Sequence, residues 1–131
     1  MASGMMEKLQ LKAGQRLTLV NPPQNMQQSL SDQMAEIKVS DALSVQPDGV
    51  LSFVRTKEEV LALAPAVFQS VKSGGLVWIA YPKGGSGIAT DLNRDSLWAA
   101  LDSSGWRPVR NVAIDEIWSA LRFRPSELVG K

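Results

Sequence analysis

Ser73-Gly74-Gly75-Leu76-Val77-Trp78-Ile79-Ala80-Tyr81-Pro82-Lys83 is the stretch that decides the fold: five apolar residues and a tyrosine, entered through a Gly-Gly pair and left through Pro-Lys. Neither face of Leu76 to Tyr81 alternates with polar residues, so a strand here is covered on both sides, as in a parallel sheet sandwiched between helices. The stretch predicts the central strand of a three-layer α/β domain.

The neighbours of this strand continue the pattern. On its amino-terminal side, Thr56-Lys57-Glu58-Glu59 reads as a capping box opening a helix whose buried stripe is Val60, Ala64, Val67 and Val71. Pro65 is expected to kink or split that helix, and Gly74 to end it in the left-handed region. Before the helix, Val50 to Val54 reads as a strand, launched from a turn at Gln46-Pro47-Asp48-Gly49 in which Gly49 takes positive φ. Earlier still, Arg16 to Val20 is a strand stopped by Asn21-Pro22-Pro23. Asn25 then caps an amphipathic helix carrying Met26, Leu30 and Met34, and Ile37-Lys38-Val39 is a short strand nearer an edge. On the carboxyl-terminal side, Asn93 caps a helix with Leu97, Trp98 and Leu101, closed by Gly105. Val109 to Ile114 and Ile117 to Phe123 are separated only by Asp115-Glu116, which leaves room for nothing but an antiparallel hairpin. Ile117, Leu121 and Phe123 alternate along the second run and are expected to close an edge of the core. The mostly parallel sheet thus finishes in a C-terminal antiparallel hairpin.

Composition bounds the chemistry. The 131 residues, 44% hydrophobic and 21% charged, make one domain over 1–131, with residues 1–8 expected to be disordered. A formal net charge of +1 calls for neither nucleic acid nor an anionic membrane as partner. There is no Cys and no His, so thiolate chemistry, the usual general base and the commonest metal ligand are absent, and no metal site is expected. No apolar run approaches a membrane span and no leader is visible, so a cytoplasmic protein is expected.

The order strand, kinked helix, Ser73-Gly74-Gly75, apolar strand, helix and terminal hairpin resembles the second half of a class I S-adenosylmethionine-dependent methyltransferase. There a Pro-Gly-Gly or similar turn feeds the fifth strand. Four further stretches resemble a family of uncharacterised small bacterial proteins: Lys12-Ala13-Gly14-Gln15-Arg16, Tyr81-Pro82-Lys83, Thr90 to Asp95, and Val112 to Pro125. The two likenesses together imply a pared-down, Rossmann-like methyltransferase fold and no assigned activity. The chain departs from the methyltransferase pattern after its first strand, where a cofactor loop has glycines and this chain has Asn21-Pro22-Pro23, which withholds backbone donors. Asn21-Pro22-Pro23-Gln24 is also similar to the Asn-Pro-Pro-aromatic motif of amino-methyltransferases, but Gln24 stands in place of the stacking aromatic and a rigid turn accounts for it. Asp41, near the end of the second strand, sits where a carboxylate grips ribose hydroxyls, although a lone Asp is more often a turn residue.

Two sets of residues remain. Lys83, Gly84, Gly85, Ser86, Gly87 and Thr90 leave the carboxyl end of the central strand, where open α/β sheets place ligands, and glycine N–H groups with one lysine suit a phosphate or carboxylate. The competing reading is a plain crossover loop. Trp118, Arg122 and Arg124 occupy alternate positions of the last strand and would share one face as an interaction surface, or simply solvate an edge. The residues are therefore read as a non-enzymatic protein that binds a small anion or a protein partner and takes no cofactor. The alternatives are an S-adenosylmethionine-type methyltransferase or transferase with an atypical cofactor loop, and a module that self-associates through the hairpin, leaving monomer and homodimer both open.

Overall fold

The computed structural model describes residues 4–40, 47–71, 75–83, 87, 90–101 and 105–125. Ten elements follow in chain order: α1 (Gly4–Leu9), β1 (Arg16–Val20), α2 (Met26–Gln33), β2 (Lys38–Ser40), β3 (Gly49–Phe53), α3 (Lys57–Ser70), β4 (Leu76–Pro82), α4 (Arg94–Ala100), β5 (Trp106–Ala113) and β6 (Trp118–Pro125). The six strands form one sheet in the order β2-β1-β3-β4-β6-β5. β2, β1, β3 and β4 run parallel, and β6 inserts antiparallel between β4 and β5.

All seven residues of β4 are buried, as its unbroken apolar run demands. Alternation divides them between two cores. Leu76, Trp78 and Ala80 face a cluster with α1 and α2, together with Leu17, Leu19, Leu51, Phe53 and Trp118. Val77, Ile79 and Tyr81 face a second cluster with Val60, Ala64 and Val67 of α3, Leu97 of α4, and Leu121 and Phe123 of β6. This is the three-layer α/β arrangement read from the sequence.

Several local expectations change. Residues 4–9 are a helix, not a disordered end, because Met5 and Leu9 are buried and Trp78 Nε1 donates to the Leu9 carbonyl at 3.1 Å. Asn25 precedes α2 but makes no side-chain cap; its φ of 68° is left-handed, and the Met26 amide bonds Pro23 O at 3.0 Å instead. Pro65 does not split α3, which runs unbroken from Lys57 to Ser70, because the proline lies on the exposed face where solvent reaches the freed carbonyl. Gly49 is not a positive-φ turn residue but the buried first residue of β3, and a Cβ there would stand 3.4 Å from the Leu76 Cβ. Gly74, expected to end α3, lies outside the described residues.

The hairpin is longer than its sequence signal. β5 begins at Trp106 because pairing with β6 extends that far, past an irregularity between Pro108 and Arg110 where the proline has no N–H to give. In the turn, Asp115 Oδ1 accepts from the amides of Ile117 at 2.8 Å and Trp118 at 2.7 Å. Ile117 therefore belongs to the turn and is 38% exposed, so Leu121 and Phe123 close the core without it.

Phe123 is fully buried against Phe68 and Val77 pairs with it across the strands. Phe123→Ala is expected to cost roughly 3–5 kcal/mol by chemical denaturation, a large part of a typical total of about 5–15 kcal/mol. Ending the chain after Glu116 removes β6 and is expected to abolish the cooperative melt; a retained sharp transition near the full-length temperature would make the hairpin an appendage.

Candidate functional site

From β1 the chain crosses to β2 on one side, and from β3 to β4 on the other, so the strand order reverses between β1 and β3. In open α/β sheets, ligands enter the crevice outside the carboxyl ends of the strands at such a reversal. Here α2 descends on one face of the sheet and α3 on the other, which parts the loop at residues 21–25 from the turn at residues 54–56.

The loop after β1 turns without glycine. Asn21 at φ 55° and Asn25 at φ 68° take the left-handed conformation, which asparagine tolerates better than most residues. Pro22 and Pro23 offer no N–H. What the loop and the start of α2 present is carboxamide: Pro22, Pro23, Asn25, Gln27, Gln28 and Ser31 line a groove of ≈ 380 Å³.

The turn after β3 is tightly bound down. Thr56 Oγ1 accepts from the Glu59 amide at 3.1 Å, and the Glu59 carboxylate accepts from the Arg55 amide at 2.6 Å, one residue before the position of the usual capping box. The Lys57 amide donates to Asp91 Oδ1 at 2.9 Å, so a carboxylate from the distant loop also satisfies the start of α3. Arg55 itself is exposed, with its guanidinium carbon 5.5 Å from the centre of the Trp118 ring. Sequence reading passed over Arg55. Its signal was position, directly after the apolar run Val50 to Val54 at the ligand-facing end of a parallel strand.

The glycine-loop set divides. Lys83 donates its amide to Ile117 O at 2.7 Å and its Nζ to Asp115 O at 2.6 Å, so the ammonium leans on the hairpin turn. Thr90 Oγ1 donates to Arg55 O at 2.6 Å and accepts from the Leu92 amide at 3.0 Å, which makes it a clasp joining the loop after β4 to the turn after β3. Gly87 is exposed at φ 91°. Gly84, Gly85 and Ser86 lie outside the described residues, as does Asp41.

The hairpin set divides as well. Trp118 shares a face of β6 with Arg122 and Arg124, as alternation requires, but it is only 2% exposed and packs edge-to-face on Phe53 with ring centres 5.2 Å apart. It belongs to the core and not to a surface, because α1 and α2 cover that end of the sheet face. Arg122 and Arg124, half-buried, lie toward the opposite end, where Phe123 pairs with Val77 at the start of β4. Trp78 and Trp118 are thus core residues, Trp106 stacks on Phe68 at 4.4 Å, and Trp98 is 42% exposed on α4. Among the described residues no group of three or more acidic side chains comes together to hold a metal ion, and no helix is long and apolar enough to cross a membrane.

No protein-family model matches this chain, and no curated protein matches it in sequence. Solved structures match it in fold. An S-adenosylmethionine-dependent methyltransferase from Aquifex aeolicus superposes with a TM-score of 0.61 at 11% identity, covering 93% of this chain and 88% of that one. Magnesium protoporphyrin IX methyltransferase from Synechocystis PCC 6803 gives a TM-score of 0.56 at 11% identity over 93% of this chain and 78% of that one. Ribosomal protein L11 methylase from Lactobacillus delbrueckii subsp. bulgaricus gives 0.55 at 11% identity over 95% and 76%. The fold is that of the methyltransferase-like Rossmann proteins, as the strand order and the inserted antiparallel hairpin strand require.

Two measurements address the loop after β4. Thr90→Val removes the clasp and is expected to cost about 1–2 kcal/mol by denaturant titration, since a bonded hydroxyl and its partners are separated. Phosphate or sulfate at about 10–50 mM, in the weak-binding range, is expected to shift the amide resonances of Gly84 to Gly87 and to shift them less in Lys83→Ala. An unmoved spectrum would make the loop a connector.

Proposed function

We propose that this chain is a methyltransferase-type transferase domain whose adenosyl cofactor, of the S-adenosylmethionine kind, docks at the carboxyl ends of β1 and β3 through an atypical loop. The observation that carries the reading is the reversal of strand order at β1 and β3 in a sheet whose fold is matched over 93% of the chain by an S-adenosylmethionine-dependent methyltransferase. That match supports the transferase reading over a non-enzymatic one.

The residues of the loop after β1 and the first turns of α2 suit the ligand in an unusual way. A nest of backbone N–H groups is a device for phosphate, and an adenosyl sulfonium carries none. Its hydroxyls, base edge and amino-acid end call for neutral donors and acceptors, which carboxamides supply in equal measure. Asn25, Gln27 and Gln28 stand along the groove beside Pro22 and Pro23, whose rings give a flat apolar surface. When bound, such a cofactor supplies an electrophilic methyl group, and this loop would orient it.

Calorimetry tests the reading. S-adenosylmethionine or its demethylated product is expected to bind with a Kd below about 1 mM, equivalent to roughly −4 kcal/mol or better. Gln28→Ala, at an exposed position where the side-chain Nε2 donates to Asp32 Oδ1 at 2.8 Å, is expected to weaken binding about tenfold, the loss of ~1.4 kcal/mol of hydrogen bonding, with the melting temperature little changed. No heat with either ligand at millimolar concentration would return the chain to an anion- or partner-binding role.

A further inference from the structure

The register of the hairpin sets four arginines on one face. Residues directly opposite in an antiparallel pair share a face, and Arg110 lies opposite Arg122 while Arg107 lies opposite Arg124. Arg122 and Arg124 are two apart on β6 and so also share that face. Strand spacing then places the Cα atoms of each opposed pair roughly 5 Å apart and those of Arg122 and Arg124 roughly 7 Å apart. Lys8 of α1 adds a fifth cation to the same hairpin, donating its Nζ to Ala113 O at 3.2 Å.

The cluster is electrostatically strained. Arg122 Nη1 donates to Gln10 Oε1, a neutral acceptor, while its Nε is buried without a partner among the described residues. Burial first, then the positive charges of Arg124 and Arg110, pull the Arg122 guanidinium below its ordinary range. Protection of an edge strand does not explain this, because Arg122 and Arg124 lie on β6, which is paired on both sides; of the two hairpin strands it is β5 that forms an edge of the sheet. Like charges placed directly opposite one another destabilise a sheet unless something of opposite sign covers them.

We propose that this hairpin face is a docking surface for the phosphodiester backbone of a nucleic acid. Planar guanidinium forks match phosphate oxygens bidentately, and a set spread over two strands, with Arg107 and Arg110 exposed, suits a repeated anion better than one small ion. An acidic peptide is the less suited occupant. Its usual approach to an edge strand is by main-chain pairing, and β5 interrupts that edge with Pro108 and the irregularity before Arg110. The four arginines bring no exposed aromatic ring with them on this face, Trp118 being buried, so contact is to the backbone and not to bases. This face lies toward the amino end of β4, away from the crevice at the carboxyl ends of β1 and β3. It departs from the expectation that a net charge of +1 needs no nucleic acid: charge summed over a chain does not register four cations gathered on one surface.

Fluorescence anisotropy with labelled single-stranded and duplex oligonucleotides of about 20 nucleotides tests the proposal on the full chain. A Kd of roughly 1–100 µM at about 0.1 M salt is expected, weakening on the order of 20–100-fold between about 50 and 200 mM salt for three or four phosphate contacts. Arg107→Ser with Arg110→Ser, both at exposed positions, is expected to reduce the salt slope by about two and weaken all sequences alike. Arg107→Lys with Arg110→Lys is expected to keep most of the slope. Absence of binding at about 1 mM, unchanged affinity in the double serine variant at an unchanged melting temperature, or displacement by polyglutamate as effective as by unlabelled oligonucleotide would each overturn the proposal, the last in favour of an acidic protein partner.

Discussion

Burial of β4 on both faces and both edges is the constraint from which the other elements follow. A strand with seven buried residues has no polar face to turn to water and no free edge along which its backbone can be solvated. Its hydrogen bonds must go to β3 on one side and β6 on the other, and its side chains need a helical layer above and below. α1 and α2 provide one layer, α3 and α4 the other. Trp78, fully buried in the middle of this strand, ties the amino-terminal helix to it through the Leu9 carbonyl. The hairpin is forced by the same demand: without β6, the backbone of β4 would lose one of its two partners.

The loops at the carboxyl ends of the strands are held by polar bonds that reach far along the sequence. Asp91 and Thr90 bind the turn at residues 55–57, more than thirty residues away, and Lys83 binds the hairpin turn. With no histidine or cysteine in the chain, a hydroxyl, a carboxylate and a lysine ammonium carry this work. These bonds tie residues 90–91 to the turn after β3, across the crevice from the proline-stiffened loop after β1. Of the side chains that the glycine loop was expected to aim at an anion, Lys83 bonds the hairpin turn and Thr90 the turn after β3. The two proposed surfaces lie toward opposite ends of the central strands, the amide-rich loop after β1 at the carboxyl end and the cationic hairpin face at the amino end of β4.

Local signals in the sequence determined the architecture. The unbroken apolar run Leu76 to Tyr81, the capping residues Thr56 and Asn93 and the brief Asp115-Glu116 connection depend on backbone preference and periodicity within a few residues, and each is found where it was read. Pairing decided what the sequence left open. That β6 inserts between β4 and β5 put Leu121 and Phe123 in the core, buried Trp118 under α1 and α2, and set two pairs of arginines face to face. Arg107, Arg110, Arg122 and Arg124 are spread over eighteen positions of the chain, and only the register of two antiparallel strands, shifted near Pro108, makes them one surface. The contact of Arg55 with the Trp118 ring likewise exists only once the hairpin folds back beside β4, although its place after the run Val50 to Val54 was legible. Periodicity reports which side chains one element buries; which distant side chains meet is fixed by strand order and register, and those are properties of the assembled sheet.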